Sequence, residues 1–258
     1  MKAKKAFVAL IVVAFLICAL FSCYFLFSIN KVSVSYTVAD NTDTSAIQTK
    51  LDNYVGENIL FFKTDKVYSV VEDNPYFKVT SVEKKYPNVL QIKVEERKEV
   101  FYLEHGDSVY LLDESGFILN KVALIDFDGA SSRDIIELDF HSYIGEESIV
   151  NATVGNYLKT VDDKLFNCVL EMARSIDLYD RVSRVTVNTG SRMDRGADFD
   201  MYSGGSLKVI NAIDRGVLQI KTALVVYDSQ SDFVKADCNV KVYILKDSGL
   251  IDVAVTKK

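Results

Sequence analysis

The chain of 258 residues has no tryptophan, two prolines, two histidines and four cysteines, and each shortage removes a class of explanation. Pro75 and Pro87 stand alone, so the chain has no proline-rich linker or polyproline recognition segment. His105 and His141 fall in no zinc spacing such as His-Glu-x-x-His. Cys18 and Cys23 lie inside an apolar run, where a thiol packs as a small hydrophobe. Cys168 and Cys238 are then too few for a disulfide framework, although a single bond between them stays open. Basic charge is also scarce. Lys+Arg number 30 against 36 Asp+Glu, a net charge of −6, and setting aside Lys2, Lys4 and Lys5 makes the remainder more acidic still. Nucleic acid, which needs a basic surface, is not an expected partner. Internal repeats, low-complexity segments and long disordered linkers are lacking too, and Ser203-Gly204-Gly205-Ser206 reads as a turn.

What the chain does have is an apolar run over residues 6–27, about 22 residues without a formal charge. A bilayer core takes about 20 helical residues to cross, so a transmembrane helix is expected over residues 6–29, marked by Ala6, Phe7, Val13, Leu20 and Phe27. Lys2, Lys4 and Lys5 precede the run and only Lys31 closely follows it, which keeps residues 1–5 in the cytoplasm and sends the rest outside. A cleaved signal peptide has a shorter apolar region and a small-x-small site, neither of which fits here. Leu20-Phe21-Ser22-Cys23 resembles a lipoprotein cleavage box, but Phe21 fits it poorly.

Beyond the run, Val32, Val34, Tyr36 and Val38 alternate with polar residues as a half-buried strand does. Ile47, Leu51, Tyr54 and Val55 recur at helical spacing behind Asp43 or Thr44 as cap, with Gly56 as the left-handed stop. A second short helix carries Val67, Val70 and Val71 inward until Asn74-Pro75 ends it. Residues 77–86 and 89–97 then form two strands around the Tyr86-Pro87-Asn88 turn, with Leu90, Ile92 and Val94 on one face. The order is β-α-α-β-β. With Gly56-Glu57-Asn58-Ile59-Leu60, Asn74-Pro75, Tyr86-Pro87-Asn88-Val89-Leu90-Gln91-Ile92-Lys93-Val94 and Glu95-Glu96-Arg97, it resembles the POTRA domain of the FtsQ/DivIB cell-division proteins. Residues 109–118, ending in Asp113-Glu114-Ser115-Gly116-Phe117-Ile118, look like that family's next segment.

The expected fold class is α+β: an N-terminal transmembrane helix, a POTRA-like domain over 30–98 and a β-rich domain with packed helices over 99–258. In the latter, Leu165, Val169, Met172 and Ile176 make one apolar stripe, on a helix begun near Asp162 or Asp163. Ile213, Val217, Ile220 and Leu224 make another, weakened by Gly216. Residues 182–188 read as a strand. Residues 234–245 and 250–255 alternate around Lys246-Asp247-Ser248-Gly249 as a closing hairpin.

Chemistry-bearing motifs are few. Ser81-Val82-Glu83-Lys84 matches a serine-acylating Ser-x-x-Lys pattern, but it lies in a strand, where the two side chains point to opposite faces. Asp126 and Asp128, or Asp194, Asp198 and Asp200, lack the spacing of a calcium loop. Asn151-Ala152-Thr153 fits the glycosylation sequon, a pattern short enough to arise by chance. No cofactor, metal ligand set or catalytic residue is expected.

The resemblance implies a non-enzymatic scaffold of the divisome in the plasma membrane, concentrated at the septum. It would join other bitopic division proteins, of the FtsL and FtsB/DivIC type, to septal peptidoglycan synthases. A membrane-anchored cell-wall enzyme, or another envelope POTRA protein, is the alternative. Partner contact is expected by strand addition at an open sheet edge. The final hairpin is the candidate: Val240, Lys241, Val242, Tyr243, Ile244, Leu245, Leu250, Ile251, Asp252 and Val253. Val240, Val242 and Ile244 should pack inward, leaving Tyr243 to meet a partner.

Overall fold

The computed structural model describes residues 2–39, 42–128, 135–141, 148–176, 181–189, 195–244 and 250–257. The fold mixes α and β, in two compact units that meet in sequence between Arg97 and Lys98.

The first unit opens with helix α1 (Lys2–Leu26). Its described side chains from Leu10 to Cys18 are all exposed. Among the described residues no helix is long and apolar enough to cross a membrane. Strand β1 (Lys31–Thr37), helices α2 (Ser45–Asp52) and α3 (Asp65–Val71), and strands β2 (Phe77–Lys85) and β3 (Val89–Glu96) follow. The sheet order is β1-β3-β2, with β1 parallel and β2 antiparallel to the central β3. Leu90, Ile92 and Val94 of β3 are fully buried against Leu51, Ile59, Val67 and Val71, because alternation sends every second residue of the strand to the helix-covered face.

The helical spacing drawn through Tyr54 and Val55 overshoots α2, which ends at Asp52. The chain there is pulled into a turn instead: the Gly56 amide donates to Ile29 O and the Ile29 amide to Glu57 O, each 2.8 Å. Gly56 takes φ +97°, a conformation that a Cβ disfavours. Tyr54 stays buried and Val55 is exposed. Asp43 serves the start of α2, its Oδ1 accepting the Ser45 amide at 2.9 Å.

The second unit is built on a nine-stranded sheet. Its strands in chain order are β4 (Phe101–His105), β5 (Ser108–Leu112), β6 (Ile118–Ala123), β7 (Ile136–His141), then, beyond the small β8 (Ile149–Asn151) and β9 (Lys159–Thr160) pair, β10 (Val182–Asn188), β11 (Gly196–Met201), β12 (Ser206–Ile210), β13 (Cys238–Ile244) and β14 (Ile251–Lys257). They are arranged β14-β13-β12-β11-β10-β7-β4-β5-β6. Helices α4 (Asp163–Ser175) and α5 (Ala212–Asp228) supply the apolar layer of the main core, with Leu165, Phe166, Val169, Met172, Ile220 and Ala223 against Val185, Phe199, Leu207 and Val240. Asp162 caps α4 by accepting the Leu165 amide at 3.2 Å. Ile176, placed on its stripe by spacing, lies one residue past the helix yet remains buried.

The expected strand over 234–245 begins later, at Cys238. A short helix, α6 (Asp232–Lys235), precedes it. The Ser203–Ser206 turn packs closely on the end of α6: a Cβ at Gly204 would stand 2.7 Å from Ala236 O, and one at Gly205 2.5 Å from Lys235 O.

Gly216 has the opposite meaning from a weak helix position. A Cβ there would lie 2.8 Å from Cys168 Sγ and 2.9 Å from Met172 Sδ, so its absence lets α5 approach α4. Gly216→Val should lower the stability of the second unit by ~1–3 kcal/mol, because overpacking outweighs the few tenths of a kcal/mol, about 0.3–0.5, gained in helix propensity on replacing glycine by valine. A melt unchanged or raised would show that α4 and α5 can separate at no cost. Cys168 donates to Ala212 O at 2.9 Å and Cys238 is buried in β13; neither is in a disulfide.

Candidate docking edge of the second sheet

The helices cover one face of the sheet, and β14 ends it on one side. Val240 and Val242 of β13 are fully buried, and Ile251 and Val253 pack beside them from β14, so one face of the hairpin closes the core. The register pairs Val240 with Val255, Lys241 with Ala254, Val242 with Val253 and Tyr243 with Asp252.

From the sequence, at least one open edge is expected on this hairpin, whose first strand carries Val240, Lys241, Val242, Tyr243 and Ile244; the strand order makes β14 the outer strand of the two. β13 lies between β12 and β14, paired with β12 over Asn239–Val242 and with β14 from Cys238 to Ile244. β12 and β13 pair in parallel through α5, which places the last strand outermost. Leu245 lies outside the described residues, as do Lys246-Asp247-Ser248-Gly249, and Leu250 precedes β14 as an exposed residue. Thr256 and Lys257 belong to the edge as well; the apolar alternation stops at Val255 and gives no sign of them.

Which amides point outward follows from one close approach. Cys238 O lies 2.6 Å from the position of a Cβ on Gly205, and so faces the β12 side. Backbone groups alternate along a strand, which turns Asn239, Lys241 and Tyr243 toward β14, and Asp252, Ala254 and Thr256 back toward them. Ile251, Val253, Val255 and Lys257 therefore present amide and carbonyl away from the sheet. Val253 agrees: its amide donates to Oδ1 of Asp252 at 2.9 Å.

Asp252 is the residue that sequence reasoning undervalued. Its Oδ2 accepts the Tyr243 hydroxyl at 2.7 Å while Oδ1 holds the Val253 amide. That bond to the hydroxyl, and then the carboxylate charge, raise the Tyr243 pKa above its ordinary value. Tyr243 is thus a protonated donor engaged on its own hairpin. The same device recurs at the opposite edge, where the Lys121 amide of β6 donates to Asn120 Oδ1 at 2.8 Å. An oxygen that satisfies an outward amide blunts an edge against unwanted pairing. The start of β6 is also covered, with Ile118 donating to Asn156 O and Gly155 donating to Ile118 O, each at 2.9 Å. Among the described strands, β14 is the longer and less covered end of this sheet.

The face away from the helices carries polar residues in register. Arg184 pairs with Glu137 at 2.8 Å and Lys208 with Asp198 at 3.3 Å. Tyr102 donates to Glu137 Oε2 at 3.3 Å. Burial, and then the Glu137 charge, push its pKa up to about 12.

The remaining sequence candidates are dispersed. Ser81 bonds Glu83, whereas Lys84 reaches Phe62 O at 2.7 Å, so the Ser-x-x-Lys pair is split between different partners. Asp126 ends a single 3-10 turn (Leu124–Asp126) and Asp194 lies outside the described residues. His105 closes β4 and His141 closes β7. Thr153 donates to Asn151 within the sequon at 2.8 Å. Among the described residues, no three His, Cys, Asp or Glu side chains converge as a metal site would need.

The sequence matches the family model described as "POTRA domain, FtsQ-type" over residues 27–97, the stretch that folds as the sheet and two helices of the first unit. That stretch is similar to FtsQ-type POTRA domains, and parts of the chain are similar to DivIB cell-division proteins. The cell division protein DivIB of Clostridium acetobutylicum is 29% identical over 114 residues, 42% of this chain and 45% of that protein. DivIB of Clostridium tetani is 28% identical over 83 residues, 30% of this chain and 31% of that protein. DivIB of Clostridium botulinum is 32% identical over 79 residues, 31% of this chain and 28% of that protein. The chain therefore matches less than half the length of each of these relatives.

Proposed function

We propose that this FtsQ/DivIB relative is a non-enzymatic, single-pass scaffold of the bacterial divisome, with α1 in the plasma membrane and both folded units outside. The observation that carries the reading is an FtsQ-type POTRA domain joined directly to the end of a 25-residue helix. Such a helix is roughly 37 Å long at about 1.5 Å per residue, enough to cross a bilayer core. The apolar run of the whole sequence, residues 6–27, supports the span, as does the exposure of Leu10, Val13, Phe15 and Leu16, which in water would be costly. The leading lysines favour a cytoplasmic N-terminus. Docking is by strand addition at β14, by FtsL-type and FtsB/DivIC-type bitopic proteins that in turn reach septal peptidoglycan synthases.

One experiment tests location and topology together. A reporter that fluoresces only in the cytoplasm should light the septum of dividing cells when fused at Met1 and stay dark when fused at Lys258. A uniform cell outline from the Met1 fusion would remove the divisome reading, and a bright Lys258 fusion would reverse the topology.

A further inference from the structure

We infer that the POTRA unit carries its own lipid contact, in which Leu60 and Phe61 sit in the headgroup layer of the outer leaflet. The inference rests on the proposed span of α1. Its own basis is how the segment after α2 is tied to the point where the helix ends. Ile59 donates to Phe27 O and Gly56 to Ile29 O, both at 2.8 Å, and the Asn58 side chain donates to Tyr24 O at 3.3 Å. Asn58 Oδ1 also accepts the Leu60 amide at 3.0 Å, closing a turn that sends Phe62 into the core and Phe61 out of it. The depth of this loop is thereby set by the helix end.

What the loop exposes suits that depth. Phe61 is 80% exposed and Leu60 45%, whereas Phe62 and Phe77, which also follow β1 in this unit, are buried. The β2–β3 turn stands beside the same exit: Asn30 donates to Asn88 O at 2.9 Å, and Tyr86, 60% exposed, packs edge-on against Phe27 with ring centroids 6.3 Å apart. Lys63 follows Phe62 in the chain, and Lys84 reaches the loop through Phe62 O. Scattered apolar residues on a surface need no explanation. Two aromatics and a leucine gathered around a helix exit, with lysines beside them, have the composition of a membrane interface, where amphipathic rings and cationic heads are favoured. The lipid surface is the one occupant that α1 itself would bring to this place.

The absence of tryptophan makes the test direct, since any single introduced indole reports alone. Full-length Phe61→Trp would be placed in vesicles of phosphatidylglycerol and phosphatidylethanolamine, with and without brominated acyl chains. Two further variants frame it: Phe15→Trp within α1, and Thr37→Trp at the far end of β1, roughly 20 Å along the strand at about 3.3 Å per residue. Emission from Phe61→Trp should be blue-shifted and quenched by the brominated lipid, less completely than that from Phe15→Trp, while Thr37→Trp is unaffected. Quenching of Phe15→Trp with none for Phe61→Trp would overturn this inference and leave the membrane span standing. A blue shift for Phe61→Trp without bromine quenching would mean that protein, not lipid, covers the position, and also overturns the inference. No quenching of Phe15→Trp would remove the span and this contact together.

Discussion

Ile92→Asp should unfold the POTRA unit while the second unit stays folded. Ile92 is wholly buried at the middle of β3, opposite Val34 of β1 and Val82 of β2, so it touches both edges of a three-stranded sheet and the helices above it. Among the described residues, no buried basic group shares that core to pair with a carboxylate. Burying a carboxyl group there costs several kcal/mol whether it stays charged or takes up a proton, about as much as the ~5 kcal/mol that holds a small domain together. Limited proteolysis followed by mass spectrometry should find new cuts within residues 30–97 and none across the strands of the second unit. Parent-like resistance in the first unit would mean that β3 does not present Ile92 to the core. Loss of both units together would mean that the boundary at Arg97 is not a folding boundary.

The β-α-α-β-β order was legible because each element there has a local cause: alternation in β1 and β3, an Asp43 carboxylate before α2, an Asn-Pro step after α3. Tyr54 and Val55 escaped because their spacing fits a helix that backbone bonds of Gly56 and Glu57 to Ile29 prevent, and those bonds join residues far apart in sequence. The second unit shows the same division. The stripes of α4 and α5 could be read from period alone, whereas Gly216 looked like a defect until its contact with Cys168 and Met172 gave it a purpose. The hairpin was recognisable as a hairpin. That β13 is inside the sheet and β14 outside depends on the parallel β12–β13 pairing, a long-range choice that no window of sequence contains. The role of Asp252 was hidden for a related reason: Tyr243 comes within its reach only after the strands are in register.

That register gives the docking edge a test with two opposite signs. The Val253 amide faces outward and is held by Asp252 Oδ1, so proline at 253 removes no bond between β13 and β14. It does remove the donor that a guest strand would use, and it places a ring in the guest's path. Val253→Pro should therefore melt close to the parent while co-purification of the proposed FtsB/DivIC-type and FtsL-type partners falls by more than about tenfold, the equivalent of ~1.4 kcal/mol. Ala254→Pro is the contrasting variant. Its amide points toward Lys241, so it should cost stability as well as binding. Asp252→Ala should move capture the other way, because a guest no longer has to displace a hydrogen bond of about 0.5–1.5 kcal/mol from the Val253 amide. The same variant should also be more prone to pair with itself, the penalty that the carboxylate prevents. Normal capture by Val253→Pro would move the interface off β14. Weakened capture by Asp252→Ala, with its melt unchanged, would make the carboxylate a contact for the partner, not a guard on the edge.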